Sequence, residues 1–238
     1  NCQGDCHLAI VDVENWVAYE LFAMKKLPGL QNWQGSLAYY DLKAETFPYY
    51  TNSFTLFGVH KAYRYRGVEN GANVSGISFS AWSIKVDDIL DGEIQHALGW
   101  NWFLVSCRNY VYPTVKVGGA TYESIQCTTT YAPPMGLRLR LKESYDIVNN
   151  PKVKSAGVDS TTTRILLRAL QKYGTFLAQV AGSNQTFHLL SEDMPDRPFS
   201  TAVSPQFVNI LRRLGLSLTD DFEVVDWDWT VKQYENSS

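Results

Sequence analysis

The sequence lacks the features that mark several large protein classes. No apolar run approaches the roughly 18 residues of a membrane-spanning helix, so no membrane span is predicted. The net charge of -3 provides no basic surface for phosphates, so nucleic acid is not an expected partner. The chain also has no phosphate-binding glycine loop, no Gly-x-Ser-x-Gly turn and no His-Glu-x-x-His helix. These absences disfavour nucleotide-binding, serine-hydrolase and zinc-protease functions.

Cysteine is scarce, and the four cysteines do not have the paired spacing of a metal site. Cys107 and Cys127 flank two strand-like runs and a Gly118-Gly119 turn, which favours a disulfide between them. That pairing leaves Cys2 with Cys6, although four cysteines allow three connectivities. An even set of this kind is typical of proteins that fold outside the cell.

N-glycosylation motifs also point outside the cell. They begin at Asn73, Asn184 and Asn236. Each motif is weak alone, but with the cysteines they predict a secreted, extracellular glycoprotein. The first residue is Asn1 rather than Met, which fits a signal peptide already removed, although a trimmed chain would look the same.

The length and the patterning predict one compact domain over residues 1–238, with a β-rich part at 1–150 and a helix-hairpin-helix-strand part at 151–238 packed on it. The expected fold is mainly β with an α+β C-terminal part: an antiparallel β-sandwich or open barrel with two packed helices. Besides an N-terminal hairpin, strands are expected at residues 36–42, 102–106, 110–117, 121–127, 137–142, 175–180, 186–190 and 222–225.

The first predicted helix runs from about residue 162 to residue 173, with Gly174 as its C-cap. The residues expected to face inward are Ile165, Leu166, Ala169 and Leu170. A second helix is expected from Ser204-Pro205 to about Leu214, ended by Gly215.

The N-terminal hairpin combines residues 7–13 and 16–23, which alternate like two strands joined at Glu14-Asn15. Pairing that is symmetric about this turn places Ala9 opposite Glu20. The register predicts that the Glu20 side chain lies near the middle of the hairpin, on the face that it shares with Ala9.

The same register makes His7 and Glu20 diagonal neighbours, with Phe22 opposite His7. Ala9 and Ala18 leave open space beside them, which predicts a shallow functional site; a simple surface His–Glu pair is the alternative. The opposite face is predicted to be core and carries Leu8, Ile10, Val17, Tyr19 and Leu21.

A second group of acidic and imidazole side chains lies near the middle of the chain. Residues 87–90 can form one helical turn ended by Gly92. Glu93 and His96 then share a face only if the helix continues to Leu98. Such groups can transfer protons or hold a metal, whereas an isolated histidine is often a satisfied core residue.

Region 45–83 is irregular and rich in aromatic residues. Trp82 and several tyrosines, at 49, 50, 63 and 65, could stack on sugar rings, or could seal loops onto the core. The strictly alternating stretch 137–142 presents Arg138, Arg140 and Lys142 on one face. These cations are candidates for binding an anionic ligand, with cross-strand ion pairs as the alternative.

Several sequence blocks resemble a largely uncharacterised family of secreted microbial proteins. The matching blocks span nearly the whole chain in order and are Asp5-Cys6-His7, Tyr19-Glu20-Leu21, Gly92-Glu93-Ile94-Gln95-His96-Ala97-Leu98, residues 133–142, Ser144-Tyr145-Asp146-Ile147, Ile165-Leu166, residues 169–174 and residues 221–225. The resemblance implies an extracellular module, joined in some members to carbohydrate-associated domains. The family usually has arginine at position 6, and region 45–83 departs from its pattern, so a site that includes this region would have diverged.

The resemblance also implies that five residues form one site: Asp5, His7, Glu20, Glu93 and His96. Two hypotheses follow. In the first, the protein is a glycoside hydrolase or polysaccharide lyase that uses His7, Glu20, Glu93 and His96, with Asp5, the cations and Trp82 binding the substrate. No cofactor is required by the sequence, although His7, Glu20 and His96 could hold a divalent metal. In the second, it is a non-catalytic extracellular module that binds glycans or self-assembles into a surface or fibre.

Overall fold

The computed structural model describes residues 7–26, 33–41, 75–102, 105–106, 109–111, 114, 132–155, 160–180, 188–189, 214–225 and 231–233. Within these residues the chain forms mostly antiparallel β-structure with few helices, which agrees with the predicted fold class in outline. None of the described strands closes into a barrel. No helix in this part of the chain is long and apolar enough to cross a membrane.

The N-terminal sheet is an antiparallel meander in the order β1-β2-β3. Its strands are β1 (Leu8–Asp12), β2 (Val17–Lys26) and β3 (Trp33–Asp41). The central strand β2 pairs on both sides, so among the described strands β1 lies at the edge of this sheet.

A five-stranded sheet forms the centre of the fold, in the order β8-β4-β7-β6-β9. Its strands are β4 (Leu98–Trp102), β6 (Arg138–Leu141), β7 (Thr175–Val180), β8 (His188–Leu189) and β9 (Phe222–Val224). β4 and β7 are parallel, and the other pairs are antiparallel. Strands from the first 150 residues therefore share one sheet with strands from the C-terminal part.

The remaining described elements are a two-stranded sheet, the helices and a 3-10 turn. A two-stranded sheet joins β5 (Asn109–Val111) to β10 (Val231–Gln233). The helices are α1 (Val86–Leu90), α2 (Pro151–Ser155) and α3 (Ser160–Lys172), and a single 3-10 turn covers Phe79–Ala81. The short helix α2 is not predicted by the sequence.

Helix α3 confirms the sequence prediction at both its position and its buried face. Ile165, Leu166, Ala169 and Leu170 are all at most 5% exposed, because this apolar stripe packs on the central sheet. Gly174 ends the helix with φ +72°, and a Cβ there would lie 2.5 Å from the carbonyl oxygen of Leu139. Glycine is therefore needed where the chain turns from α3 into β7.

Some predicted boundaries are wrong. The strand expected at residues 102–106 begins instead at Leu98, and residues 105–106 are not in a strand. Of the second predicted helix only its last residue, Leu214, is described; it is helical, and Gly215 follows with φ +57°. The rest of that helix and the strand expected at 121–127 lie outside the described residues.

The central sheet is covered on both faces. Leu98, Trp100 and Leu177 pack on one face in a large core that includes α3. On the other face Trp82 packs with Phe176, Ala178 and Ile77. This burial on both faces is typical of parallel strands such as β4 and β7.

Candidate functional site

The hairpin of β1 and β2 has the register that the sequence predicts. Ala9 pairs with Glu20, so the prediction for the middle of the hairpin is confirmed. The turn forms at residues 13–16, where Oδ1 of Asp12 accepts the backbone N–H groups of Glu14 and Asn15 at 3.1 and 3.0 Å. This aspartate-centred turn fixes the register, and the register decides which face Glu20 occupies.

Glu20 lies in the interior of the protein rather than at its surface. Its side chain is 0% exposed. Oε1 accepts a hydrogen bond of 2.6 Å from the Ser78 hydroxyl and one of 3.3 Å from the backbone N–H of Ser80. Oε2 has no hydrogen-bond partner among the residues that the structure describes. A buried carboxyl with one unsatisfied oxygen is unusual and marks a functional candidate.

The burial changes the acidity of this carboxyl. Desolvation raises the pKa of Glu20 from 4.5 to about 7, and the hydrogen bonds from Ser78, Ser80 and Phe79, which favour the ionised form, offset only part of the rise. A carboxyl with this pKa holds its proton at mildly acidic pH and can release it near neutrality. Such tuning is what a general acid requires.

The register places His7 on the same face of the hairpin as Glu20. Its ring centroid lies 5.2 Å from that of Phe22 and 4.7 Å from that of Phe79, the latter in an edge-to-face arrangement. The His7 side chain is exposed, whereas Glu20 is buried. The surface His–Glu pair is therefore wrong. The shallow functional site stays a prediction, and it requires that Glu20 be uncovered.

The predicted core face of the hairpin is buried only in part. Val17 and Leu21 are buried, as expected, but Leu8 and Ile10 are each 43% exposed. On the other face, Ala18 and Glu20 are both 0% exposed, and the 3-10 turn bonds to Glu20 there. Burial therefore follows the position of the strand, central or edge, more than the face of the hairpin.

Ser78 and Ser80 are the site residues that the sequence does not reveal. They flank Phe79 in a single 3-10 turn, which has no hydrophobic periodicity to detect. The Oγ atoms of Ser78 and Ser80 also lie 2.5 Å apart, so the two hydroxyls and the carboxyl form one hydrogen-bonded group. A short Ser-x-Ser segment in an irregular region carries no signal of its own.

The structure gives His96 and Glu93 partners different from those of Glu20. Helix α1 ends at Leu90, and Gly92 follows with φ +83°, as the sequence predicts. Nε2 of His96 lies 3.2 Å from Oδ2 of Asp88, and Nδ1 lies 3.0 Å from the carbonyl oxygen of Ala97. His96 is therefore a satisfied residue that holds the segment after α1 against this helix.

Glu93 lies on the surface. Its Oε1 is 3.2 Å from Nζ of Lys172 at the end of α3, and both side chains are at least half exposed. The hydrogen bond from Lys172 is the main cause that lowers the pKa of Glu93. An exposed, ionised carboxylate of this kind is a poor proton donor near neutral pH.

The three cations of the alternating stretch each contact protein acceptors. Arg138 donates to the carbonyl oxygen of Tyr173 at 2.9 Å, and Lys142 donates to that of Asp220 at 2.6 Å. Arg140 pairs with Glu223 on the neighbouring strand β9, with Nε 2.9 Å from Oε1. A ligand anion would have to compete with these contacts, and the arrangement matches the cross-strand alternative.

Trp82 is 0% exposed and cannot be a sugar-stacking platform. Its ring packs directly on Gly99 of β4, where a Cβ would lie 2.0 Å from Cε3 of the indole. Phe79 and Phe176 contact the same ring, with centroids 5.0 and 6.2 Å away. Trp82 is therefore a core residue that packs this segment onto the sheet. This is the second of the two roles predicted for the aromatic residues of region 45–83.

Several predictions fall on residues that the structure does not describe. They are Asp5, the tyrosines at 49, 50, 63 and 65, the four cysteines, and the asparagines of the three glycosylation motifs at 73, 184 and 236. Disulfides and glycosylation therefore stay predictions. Within the described ranges no group of three or more His, Cys, Asp or Glu side chains is arranged to hold a metal ion.

Comparison with known protein families, with curated proteins and with solved structures finds no match to this chain. The function must therefore be inferred from the residues themselves, above all from the group of Glu20, Ser78 and Ser80.

Proposed function

We propose that this chain is a secreted protein that acts on carbohydrate, with Glu20 as the proton donor of a glycoside hydrolase or a polysaccharide lyase. The observation that carries the proposal is the buried Glu20 carboxyl, whose pKa is about 7 and whose Oε2 lacks a partner among the described residues. The cysteines, the glycosylation motifs and the family resemblance support an extracellular location and a glycan partner.

Both reactions use the proton of the Glu20 carboxyl group. In each, the Glu20 carboxylic acid protonates the glycosidic oxygen as the bond from this oxygen to carbon breaks. In hydrolysis, water replaces the leaving sugar, with a second carboxylate as base or nucleophile. In elimination, a base removes the proton at C5 of a uronic acid while the C4–O bond breaks and a C4–C5 double bond forms; His7 is the candidate base. The sequence requires no cofactor for either reaction, and a divalent metal stays a prediction.

Access to the carboxyl is the main structural requirement of this proposal. Glu20 is covered by Ser78, Phe79 and Ser80, so substrate reaches it only when this short turn moves aside. His7 lies at the exposed side of the same turn, in contact with Phe79. A substrate that displaces the turn would meet both groups together.

The test is to incubate the purified protein with neutral and acidic polysaccharides and to analyse the products by mass spectrometry. We expect shortened products that Glu20→Gln abolishes and His7→Ala reduces. Glu14→Gln changes an exposed glutamate in the hairpin turn and should leave activity unchanged. Products of hydrolysis and of elimination differ by the mass of one water. Full activity of Glu20→Gln, or no products across the panel, would refute the catalytic proposal.

A different observation supports the alternative, a non-catalytic module that binds glycans or self-assembles. Edge strand β1 and its turn expose large apolar side chains: Leu8, Ile10 and Val11 at 43%, Val13 at 73% and Trp16 at 53%. Unprotected apolar edge strands favour association with other chains. A sandwich or open-barrel arrangement of the three sheets, which stays a prediction, would leave this edge at the rim of the molecule.

Sedimentation velocity tests the alternative. If β1 mediates assembly, the wild-type protein should form larger species as its concentration rises, and Val11→Lys on the edge strand should return it to monomer. Glu143→Lys, an exposed change away from this edge, is the control. A wild-type protein that stays monomeric at every concentration would argue against assembly through β1.

A further inference from the structure

Helix α3 exposes only a narrow part of its surface, and that part is positively charged. Most of its side chains are buried in the large core, whereas Arg168 and Lys172 are exposed and Arg164 is partly exposed. Residues four positions apart lie on one face of a helix, so these three cations follow one another along α3. They are called the cationic stripe below. The net charge of -3 for the whole chain hides this local excess of positive charge.

No acidic residue balances the stripe from within its own helix. The sequence of α3 contains three cations and neither aspartate nor glutamate. Lys172, the last residue of the helix, pairs with Glu93. Arg164 and Arg168 have no hydrogen bond or ion pair with any residue that the structure describes. Like charges four residues apart disfavour a helix, so these two arginines do not serve the stability of α3.

Arg164 carries hydrogen-bond donors that the described part of the chain does not use. A guanidinium has five N–H donors in a planar fork and no acceptor. Nε of Arg164 is buried without a partner among the described residues, although buried donors are nearly always paired. Its two terminal nitrogens are not buried in this way and the side chain is partly exposed, so a ligand can reach the fork from solvent.

The spacing of the two free arginines favours an anion with several charged groups in a row. A guanidinium binds a carboxylate through two parallel N–H···O bonds. Four helical residues rise about 6 Å, so Arg164 and Arg168 can contact neighbouring charges of one ligand chain. A polysaccharide of uronic acids carries one carboxylate on each sugar and meets this requirement.

We propose that the cationic stripe of α3 binds an acidic polysaccharide, with Arg164 and Arg168 each pairing with the carboxylate of a uronic acid. The choice of a glycan over other polyanions rests on the proposed function and on the predicted extracellular location, because anionic phospholipids face the cytoplasm. This substrate class also narrows the proposed function, since elimination requires a uronic acid. The stripe binds such a chain whether or not Glu20 cleaves it.

The test is isothermal titration calorimetry with oligogalacturonate and with its methyl ester, which has the same sugars without the charges. The full-length Glu20→Gln protein is used, so that no cleavage occurs during the titration. We expect the acid form to bind about tenfold more tightly than the ester, and its binding to weaken as sodium chloride is added. Equal binding of the two forms, or no binding of the acid form, would overturn the proposal. Tighter binding of a single-stranded oligonucleotide or of phosphatidylserine vesicles would also overturn it.

Two variants locate the binding on α3. Arg164→Gln and Arg168→Gln should each weaken it about tenfold, as expected for the loss of a hydrogen bond between charged groups. Both variants should fold normally, because glutamine suits a helix about as well as arginine and one of two like charges is removed. Lys85→Gln is the control, since it removes the same charge beside α1, where that charge acts on Asp88. Unchanged binding in the double arginine variant would exclude the stripe.

Cleavage of the same oligogalacturonate by proteins with an intact Glu20 separates failure of the stripe from failure of the catalytic proposal. Binding that depends on Arg164 and Arg168, with no cleavage by the wild type, would refute the role of Glu20 and support the stripe. Cleavage by the wild type, with binding that is unaffected by both arginine changes, would refute the stripe alone.

Discussion

The hydroxyl of Ser78 donates a 2.6 Å hydrogen bond to Oε1 of Glu20, although the two residues lie 58 positions apart in the chain. Glu20 lies on β2 in the N-terminal meander, whereas Ser78 lies in the segment that Trp82 anchors on the central sheet. The bond therefore joins two sheets that are otherwise built from different parts of the chain. The protonation state of Glu20 is thus linked to the packing of the β1–β3 meander against the segment that carries Ser78.

Replacement of Glu20 by glutamine should make the protein more stable at high pH. The folded-state pKa is raised, so the unfolded state loses its proton first as the pH rises from 4.5 to about 7, and stability falls over that range. Glutamine cannot ionise and retains an oxygen that can accept the bonds from Ser78 and Ser80. We expect Glu20→Gln to exceed the wild type by about 3 kcal/mol at pH 8 and to match it near pH 4.5.

Urea denaturation of both proteins at several pH values measures this difference. Glu14→Gln, an exposed change in the hairpin turn, should show the wild-type pH dependence. A constant difference between Glu20→Gln and wild type across the pH range would show that Glu20 does not titrate as proposed.

Replacement of Ser78 by alanine should destabilise the protein more at high pH than at low pH. The hydroxyl donates to a neutral carboxyl below pH 7 and to a carboxylate above it, and hydrogen bonds to charged acceptors are stronger. We expect a loss of about 1 kcal/mol at pH 5 and about 2 kcal/mol at pH 8, measured by urea denaturation. Ser155→Ala, which removes an exposed 3.3 Å bond at the end of α2, should cost less at both pH values. Equal losses at pH 5 and pH 8 for Ser78→Ala would contradict the expectation.

Replacement of Gly99 by alanine should destabilise the central sheet, because its new methyl group would lie 2.0 Å from Cε3 of Trp82. We expect a loss of about 3 kcal/mol in urea denaturation, at the upper end for overpacking of a core. Trp82→Leu should relieve the clash, so the double variant should lose less than the sum of the two single losses. Gly92→Ala is the control, since a Cβ there meets nothing within 4 Å and the change adds only the strain of φ +83°. Strict additivity of the two changes would show that the ring does not block position 99.

Replacement of Asp88 by alanine should loosen the segment that carries His96. Oδ2 of Asp88 accepts the backbone N–H of Lys85 at 2.9 Å and lies 3.2 Å from Nε2 of His96. Burial works to raise the pKa of Asp88, but the hydrogen bond from His96 and the one from Lys85 outweigh it and place the pKa below 3.8. The stabilisation is therefore present above pH 3.8 and is lost as the pH falls through the lower folded-state value.

At pH 7 we expect Asp88→Ala to cost about 1 kcal/mol, because its side chain bonds back to the N-cap residue Lys85 and capping bonds are usually of this size, as measured by urea denaturation. His96→Ala should cost a similar amount. If Glu20 cleaves glycans as proposed, this variant should leave the cleavage intact, because the described partners of His96 are Asp88 and Ala97. Asp91→Ala, at the exposed end of the same helix, is the control. Loss of cleavage in a folded His96→Ala protein would restore His96 to the reaction.

The hairpin and helix α3 could be predicted because their signals are local. The turn after Asp12 sets the register of β1 and β2, and the apolar stripe from Ile165 to Leu170 identifies the buried face of α3. The burial of Glu20 could not be predicted, since it depends on a turn 58 residues away. Strand alternation shows which side chains share a face, but not which face is covered.

The cations and Trp82 illustrate the same limit. The alternation at residues 138–141 is observed, with Leu139 and Leu141 buried, but only the position of β9 shows that Arg140 faces Glu223. Likewise, the sequence cannot show that Trp82 rests on Gly99, because the absence of a side chain at a close contact leaves no pattern. Residues that meet through tertiary packing are therefore assigned by the structure alone.

The pairing of β4 with β7 has a consequence for the order in which the protein folds. The Thr175 hydroxyl bonds to the carbonyl oxygen of Leu98 across 77 residues, so the centre of the main sheet forms only after most of the chain has left the ribosome. The β1–β3 meander contains only local pairings and can form much earlier. Until Trp82 settles on the finished sheet, the segment that carries Ser78 and Ser80 has no fixed place, so the nascent meander forms first with Glu20 uncovered.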